Sequence, residues 1–190
     1  AALKTLETPL LKTVEGDLKV QSNASLASIT MPALKTTSGA FIASDNLGIL
    51  GVDAPSLQSV GDFLGVEGNL NLTTLNLDAV ETVGGNLYIS NNGTLSSFAL
   101  PSLLSVGGTL GIYDGNPGLL SFELPKLVSV TGTIYIYENH SLQAVDLSAL
   151  DVVNGTIVVT NNLVLPTFAL PSVTTIGLIP DDGALGGNLY

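Results

Sequence analysis

The stretch Asp78-Ala-Val-Glu-Thr-Val-Gly-Gly-Asn-Leu-Tyr-Ile-Ser-Asn-Asn-Gly-Thr-Leu-Ser-Ser-Phe-Ala-Leu100 decides the fold, because the rest of the chain repeats it. Moving 23 residues in either direction meets the same chemistry, with units opening at Pro9, Pro32, Pro55, Asp78, Pro101, Pro125, Ser148 and Pro171. One step, from Pro101 to Pro125, takes 24 residues, and the added residue falls near Pro117. A period this regular marks a solenoid, in which each unit is too small to bury its apolar side chains alone and is stabilised by stacking on its neighbours.

Within a unit the apolar residues alternate, as in Leu87-x-Ile89, and β-branched residues and glycines recur throughout. Period-two alternation predicts short strands, and no stretch keeps the period of about 3.6 that a helix needs. Glycine and asparagine are expected at corners that require positive φ. The reading is an all-β, right-handed parallel β-helix or solenoid of 23-residue coils with three or four strands per coil, the hand following that of other parallel crossovers. Residues 1–190 form one domain: 1–8 end a preceding coil, 9–170 make seven full coils, and 171–190 make an irregular, incomplete one. Leu3 and Leu6 match the phase of Leu95 and Phe98, and Gly186 to Tyr190 repeats Gly84 to Tyr88, so the native polypeptide is expected to extend past the segment or to meet other molecules at its ends.

Two columns follow from this stacking. Asn23, Asn46, Asn69, Asn92, Asn139 and Asn162 share one offset, with Asn116 one place later in the enlarged fifth coil. Each amide carries donors and an acceptor, so stacked copies can satisfy one another and the corner backbone. Beside them runs an apolar column of Ile29, Val52, Leu75, Phe98, Phe122, Val145 and Phe168, whose rings are expected to stack inside.

Composition narrows the function. Sixteen acidic residues face five lysines and no arginine, a net charge of −11, which disfavours nucleic acid because phosphate binding needs clustered cations. Mean hydropathy is positive, yet the apolar residues are dispersed and no run reaches the roughly 20 residues of a membrane span. The absence of cysteine removes disulfides and thiolate chemistry together. His140, in an Asn-His-Ser corner, reads as a solvated loop residue, and Asp181-Asp182 lacks the surrounding acids of a calcium loop. No catalytic residue, metal or cofactor is therefore expected.

Asp114 and Glu138 share an offset on adjacent coils, about 5 Å apart. That spacing suits a retaining glycosidase pair, but the two read as solvated corner acids without cationic support. Tyr88 and Tyr135 take one outward offset of the Leu-x-Ile strand, and Tyr113 and Tyr137 take the next. Four tyrosines on one sheet face are a candidate ligand-binding surface for sugar rings or a protein. Thr109, Thr133, Thr156 and Thr160 are assigned to the same face.

The Leu87-x-Ile89-x-x-Asn92 core resembles that of leucine-rich repeats, and the fuller Pro101-Ser-Leu-x-Ser-Val-Gly-Gly108 resembles receptor L-domain repeats. The pattern is most similar to the fungal cell-wall family of glycosylphosphatidylinositol-anchored surface proteins. The resemblance implies an N-glycosylated β-solenoid outside the cell, at the cell wall or cell surface, needed for wall organisation and without catalytic residues. The family's cysteine-bearing cap and Ser/Thr-rich anchor-bearing tail do not fall within these 190 residues. Five sequons, at Asn23, Asn71, Asn92, Asn139 and Asn154, make these the candidate glycosylation sites, although an amide consumed by stacking is a poor acceptor. The expected function is non-enzymatic: a rigid solenoid face presented to cell-wall polysaccharide or a surface protein. Head-to-tail self-association through open coil ends, and a carbohydrate-active enzyme resting on Asp114 and Glu138, are the alternatives.

Overall fold

The computed structural model describes residues 2–177 as a parallel β-solenoid of about seven turns, with 22 short strands and no helix. The expectations for Asp181-Asp182 and for the last part of the incomplete coil lie outside the described residues. Each full coil up to the sixth contributes three strands, one to each of three faces. The first face is built of two-residue strands such as Thr82–Val83 and forms an unbroken eight-stranded sheet from Thr13–Val14 to Thr175–Ile176. The second holds seven four-residue strands, from Leu18–Gln21 to Ile157–Thr160. The third carries three-residue strands and is split into a four-stranded sheet ending at Thr74–Asn76 and a three-stranded sheet beginning at Ser97–Ala99.

All pairings are parallel and join residues one coil apart: Leu87 lies between Leu64 and Leu110, and Ile89 between Val66 and Ile112. The alternating pattern thus becomes columns of buried Leu, Ile and Val, each such side chain stabilising the stack by roughly 1.5–3 kcal/mol. Phe98 and Phe122 stack inside with centroids 5.4 Å apart, as their spacing predicts.

One expectation about the corners is corrected. The Gly-Gly pair does not supply positive φ. It allows close approach instead: a Cβ on Gly155 would lie 2.7 Å from the Gly132 carbonyl carbon of the coil below. Positive φ falls at the corner before the asparagine column, at Ser22, Asp45, Gly68, Asn91, Asp114, Glu138 and Asn161, with values from 50° to 67°; at Asp114, Gly115 stands between it and Asn116. Asn, Asp and Gly tolerate this left-handed conformation best, and they hold five of the seven places.

Such a corner leaves backbone groups unpaired, and the asparagine of the following coil takes them up. Asn46 accepts from the Asn23 N–H at 3.1 Å and donates to the Val20 carbonyl at 2.8 Å. Asn69 does the same for the Asn46 N–H (3.1 Å) and the Ala43 carbonyl (2.8 Å). The amides are therefore staples across the preceding corner as well as neighbours in a stack. In the enlarged coil Asp114 and Gly115 both take positive φ, and Asn116 returns to the column, accepting from the Asn92 N–H at 3.0 Å.

Replacing Asn69 by Leu is expected to strand the Asn46 N–H and the Ala43 carbonyl in a dry interior, at a cost of about 2–6 kcal/mol at 1–3 kcal/mol per group. Urea denaturation measures this. A loss below about 0.5 kcal/mol, the scale of an ordinary surface substitution, contradicts the staple.

Candidate binding face

The second face carries the aromatic residues. Its inward positions, such as Leu87 and Ile89, are buried and fix the strand, so the side chains between them point outward. Tyr88, Tyr113, Tyr135 and Tyr137 all lie there, as the offsets predict, and they form one contiguous row with a fifth ring, Phe63. Centroid separations are 5.3 Å for Phe63–Tyr88, Tyr88–Tyr113 and Tyr113–Tyr137, and 6.3 Å for Tyr135–Tyr137. The first two contacts are edge-to-face, and Tyr113 and Tyr137 are stacked within 11°. The row crosses four coils, roughly 15 Å at the ordinary strand spacing.

Phe63 was missed because it stands just before its strand rather than within it. Its signal was the bare Gly65 two residues on. A Cβ on Gly65 would come 2.6 Å from the Phe63 ring, and one on Gly111 would collide with Tyr113. Phe63 lies over Gly65 and Tyr113 over Gly111, so the surface is less flat and less exposed than four upright tyrosines: Tyr135 is 37% exposed, and the others are half-buried.

The row has an acidic border. Glu67 lies over Gly65 and accepts from the Ser90 hydroxyl at 3.3 Å. Burial raises its pKa above the ordinary 4.5, and the charges of Asp45 and Asp114 push the same way against the Ser90 hydrogen bond. Tyr137 donates to Asp114 Oδ1 at 3.2 Å. Burial raises the pKa of Tyr88, Tyr113 and Tyr137, with neighbouring carboxylates adding to it. These phenols are thus protonated hydrogen-bond donors throughout the neutral range. The cation on this face nearest the chain's start, Lys19, is paired with Asp17 at 2.6 Å.

The remaining candidates fall out differently. Asp114 and Glu138 both occupy the left-handed corner and are exposed, and Asp114 is engaged by Tyr137. His140 is an exposed corner residue. Thr109, Thr133 and Thr156 do not form a flat array: they precede their strands, Thr156 is buried, and the Thr133 hydroxyl accepts from the Thr156 N–H. Thr160 alone ends a strand of this face. Among the described residues no group of three or more His, Asp or Glu is placed to hold a metal ion, and no helix is long and apolar enough to cross a membrane.

The sequons divide on burial. Asn92 and Asn139 are wholly buried in the amide column, donating to the Val66 and Ile112 carbonyls, so the folded chain has no room for a glycan on either. Asn23 is half-buried and donates to Gln21 and Asn46. Asn71 and Asn154 are exposed, Asn71 donating to the Leu47 carbonyl.

Scans against protein-family models, curated proteins and solved structures each find no match. The functional reading rests on the face itself.

Because the folded pKa of Glu67 is raised, its charge costs stability wherever the residue is ionised in both states. That cost disappears as pH falls through the folded pKa to below the unfolded one. Glu67→Gln keeps an acceptor for Ser90, so its urea midpoint is expected above wild type at pH 7 and equal to it below about pH 4, under the unperturbed carboxyl value. A difference independent of pH contradicts the assignment.

Proposed function

We propose that this protein is a non-enzymatic extracellular scaffold that binds a cell-wall polysaccharide along its aromatic face. The observation carrying this reading is the continuous row Phe63, Tyr88, Tyr113, Tyr137 and Tyr135, held across successive coils with 5.3–6.3 Å between rings. Carbon–hydrogen faces of sugar rings pack on such surfaces, and protonated phenols at their edges donate to sugar oxygens. The acidic border disfavours polyanionic glycans and leaves neutral or amine-bearing ones. The resemblance of the repeat to fungal cell-wall receptor L-domain-like proteins supports a place at the cell wall or surface, where Asn71 and Asn154 have room for glycans. A rigid rod bearing a binding strip serves wall architecture and recognition equally well.

Tyr113→Ala with Tyr137→Ala removes two adjacent rings, each contributing about 0.5–1.5 kcal/mol beyond its buried area. On a glycan array the double variant is expected to bind roughly thirtyfold more weakly than wild type, corresponding to about 2 kcal/mol. Undiminished binding by a folded double variant, or no glycan bound by the wild type, refutes the reading.

A further inference from the structure

The third face contains a defect that the aromatic row does not involve. Every other pair of neighbouring coils that builds this face repeats the same flanking hydrogen bonds: Ala54 N–H to the Asn76 carbonyl at 2.9 Å, Leu100 N–H to Glu123 at 3.0 Å, Thr73 N–H to Leu50 at 2.9 Å, Leu120 N–H to Ser96 at 2.8 Å. Between the fourth coil's Ser97–Ala99 strand and the Thr74–Asn76 strand before it, no ladder forms. The bonds expected from Leu77 N–H to Ala99 and from Ser96 N–H to Thr73 are absent. The other two faces run unbroken past this level.

The break coincides with a change in the interior column, which is aliphatic through Ile29, Val52 and Leu75 and then becomes the stacked pair Phe98 and Phe122. Leu75 and Phe98, 9% and 5% exposed, show at the step. The result is an open cleft of about 380 Å³ lined by Thr73, Thr74, Leu75, Ser97, Phe98, Ala99, Ser121 and Glu123. Beside it, the Asn76 amide donates to Asp53 at 2.7 Å, while its buried Oδ1 has no partner. The equivalent residue one coil on is Ala99, which offers no side-chain donor.

We propose that this cleft is a second binding site, for a single neutral sugar residue. Its chemistry selects the class. Acceptors predominate: the Ala99 carbonyl, the Glu123 carboxylate and the lone pairs of Thr73 and Thr74, whose hydroxyls already donate to Leu50. A ligand rich in hydroxyl donors fits them, and the Ser97 and Ser121 hydroxyls donate in return. An anion is disfavoured because Glu123 lies in the cleft and no cation lines it. The edges of Leu75 and Phe98 give the floor an apolar patch for the ring's carbon–hydrogen face. An added peptide strand does not fit: it needs about 9.6 Å between its flanking strands, twice the ordinary spacing. Cα atoms of the two strands still approach within 8 Å.

The test is backbone amide NMR with methyl glucosides, mannosides and galactosides, together with neutral glucose trisaccharides, at up to about 10 mM, which reaches weak millimolar binding. At least one probe is expected to shift the Thr74, Ser97 and Ser121 amides. Ser121→Leu, which fills the cleft from its outer edge, is expected to abolish that shift without changing the melting temperature. Phe98→Leu, which takes the ring edge away from the floor, is expected to weaken that binding severalfold. Tyr113→Ala with Tyr137→Ala is expected to leave the seam response intact. The proposal is overturned if no probe moves the seam amides, if Ser121→Leu or Phe98→Leu binds as wild type does, or if sugar binding is lost only in the tyrosine double variant. That last result would leave the aromatic face as the sole sugar site.

Discussion

The structure depends on one hydrogen-bonding constraint: a left-handed corner whose free carbonyl and N–H are satisfied by a side chain from the next coil. The task requires a donor and an acceptor on one short planar group, which asparagine supplies and aspartate or serine does not. Val20 and Asn23 are held by Asn46, Ala43 and Asn46 by Asn69, and so on up the rod. Because each coil completes the one before it, a displaced coil leaves buried polar groups unpaired on two levels. That penalty keeps the columns in vertical register, which hydrophobic packing alone, being non-directional, enforces less strictly.

The binding face is a product of the same register. Rings from successive coils meet at about 5 Å only because the strands beneath them are aligned. Glycines at positions 65 and 111 then let rings recline across the backbone rather than stand away from it. The left-handed corner at the end of these strands favours Asp and Asn, which gives the aromatic row its acidic margin. One local requirement thus sets both the stacking distance of the rings and the charge beside them.

Much of this was legible in the spacing. A repeat of 23 residues places equal positions over one another whatever the details of the corners, so the buried columns, the amide stack and the four tyrosines could be read from Leu87, Asn92 and Tyr88 outward. Three things were hidden. The positive-φ column is filled by Ser, Asp, Gly, Asn and Glu, with no shared residue type to reveal it. Phe63 joins the tyrosines through a diagonal contact that crosses offsets, and columns record only vertical ones. The seam at Ser97 lies where the interior column passes from Leu75 to Phe98, two residues that count equally as apolar in any pattern. The sequons, in turn, lose Asn92 and Asn139 because the feature that makes asparagine recur there is the one that buries it.

The fifth coil, with its additional residue, has a consequence for how such a rod varies. Asp114 and Gly115 take up the surplus in a tight loop, and Asn116 rejoins the vertical file. What the architecture conserves is therefore phase rather than unit length. Such bends are places where the polypeptide can grow, and a longer excursion there would emerge beside the row of rings, reshaping its margin while the interior stays as it is.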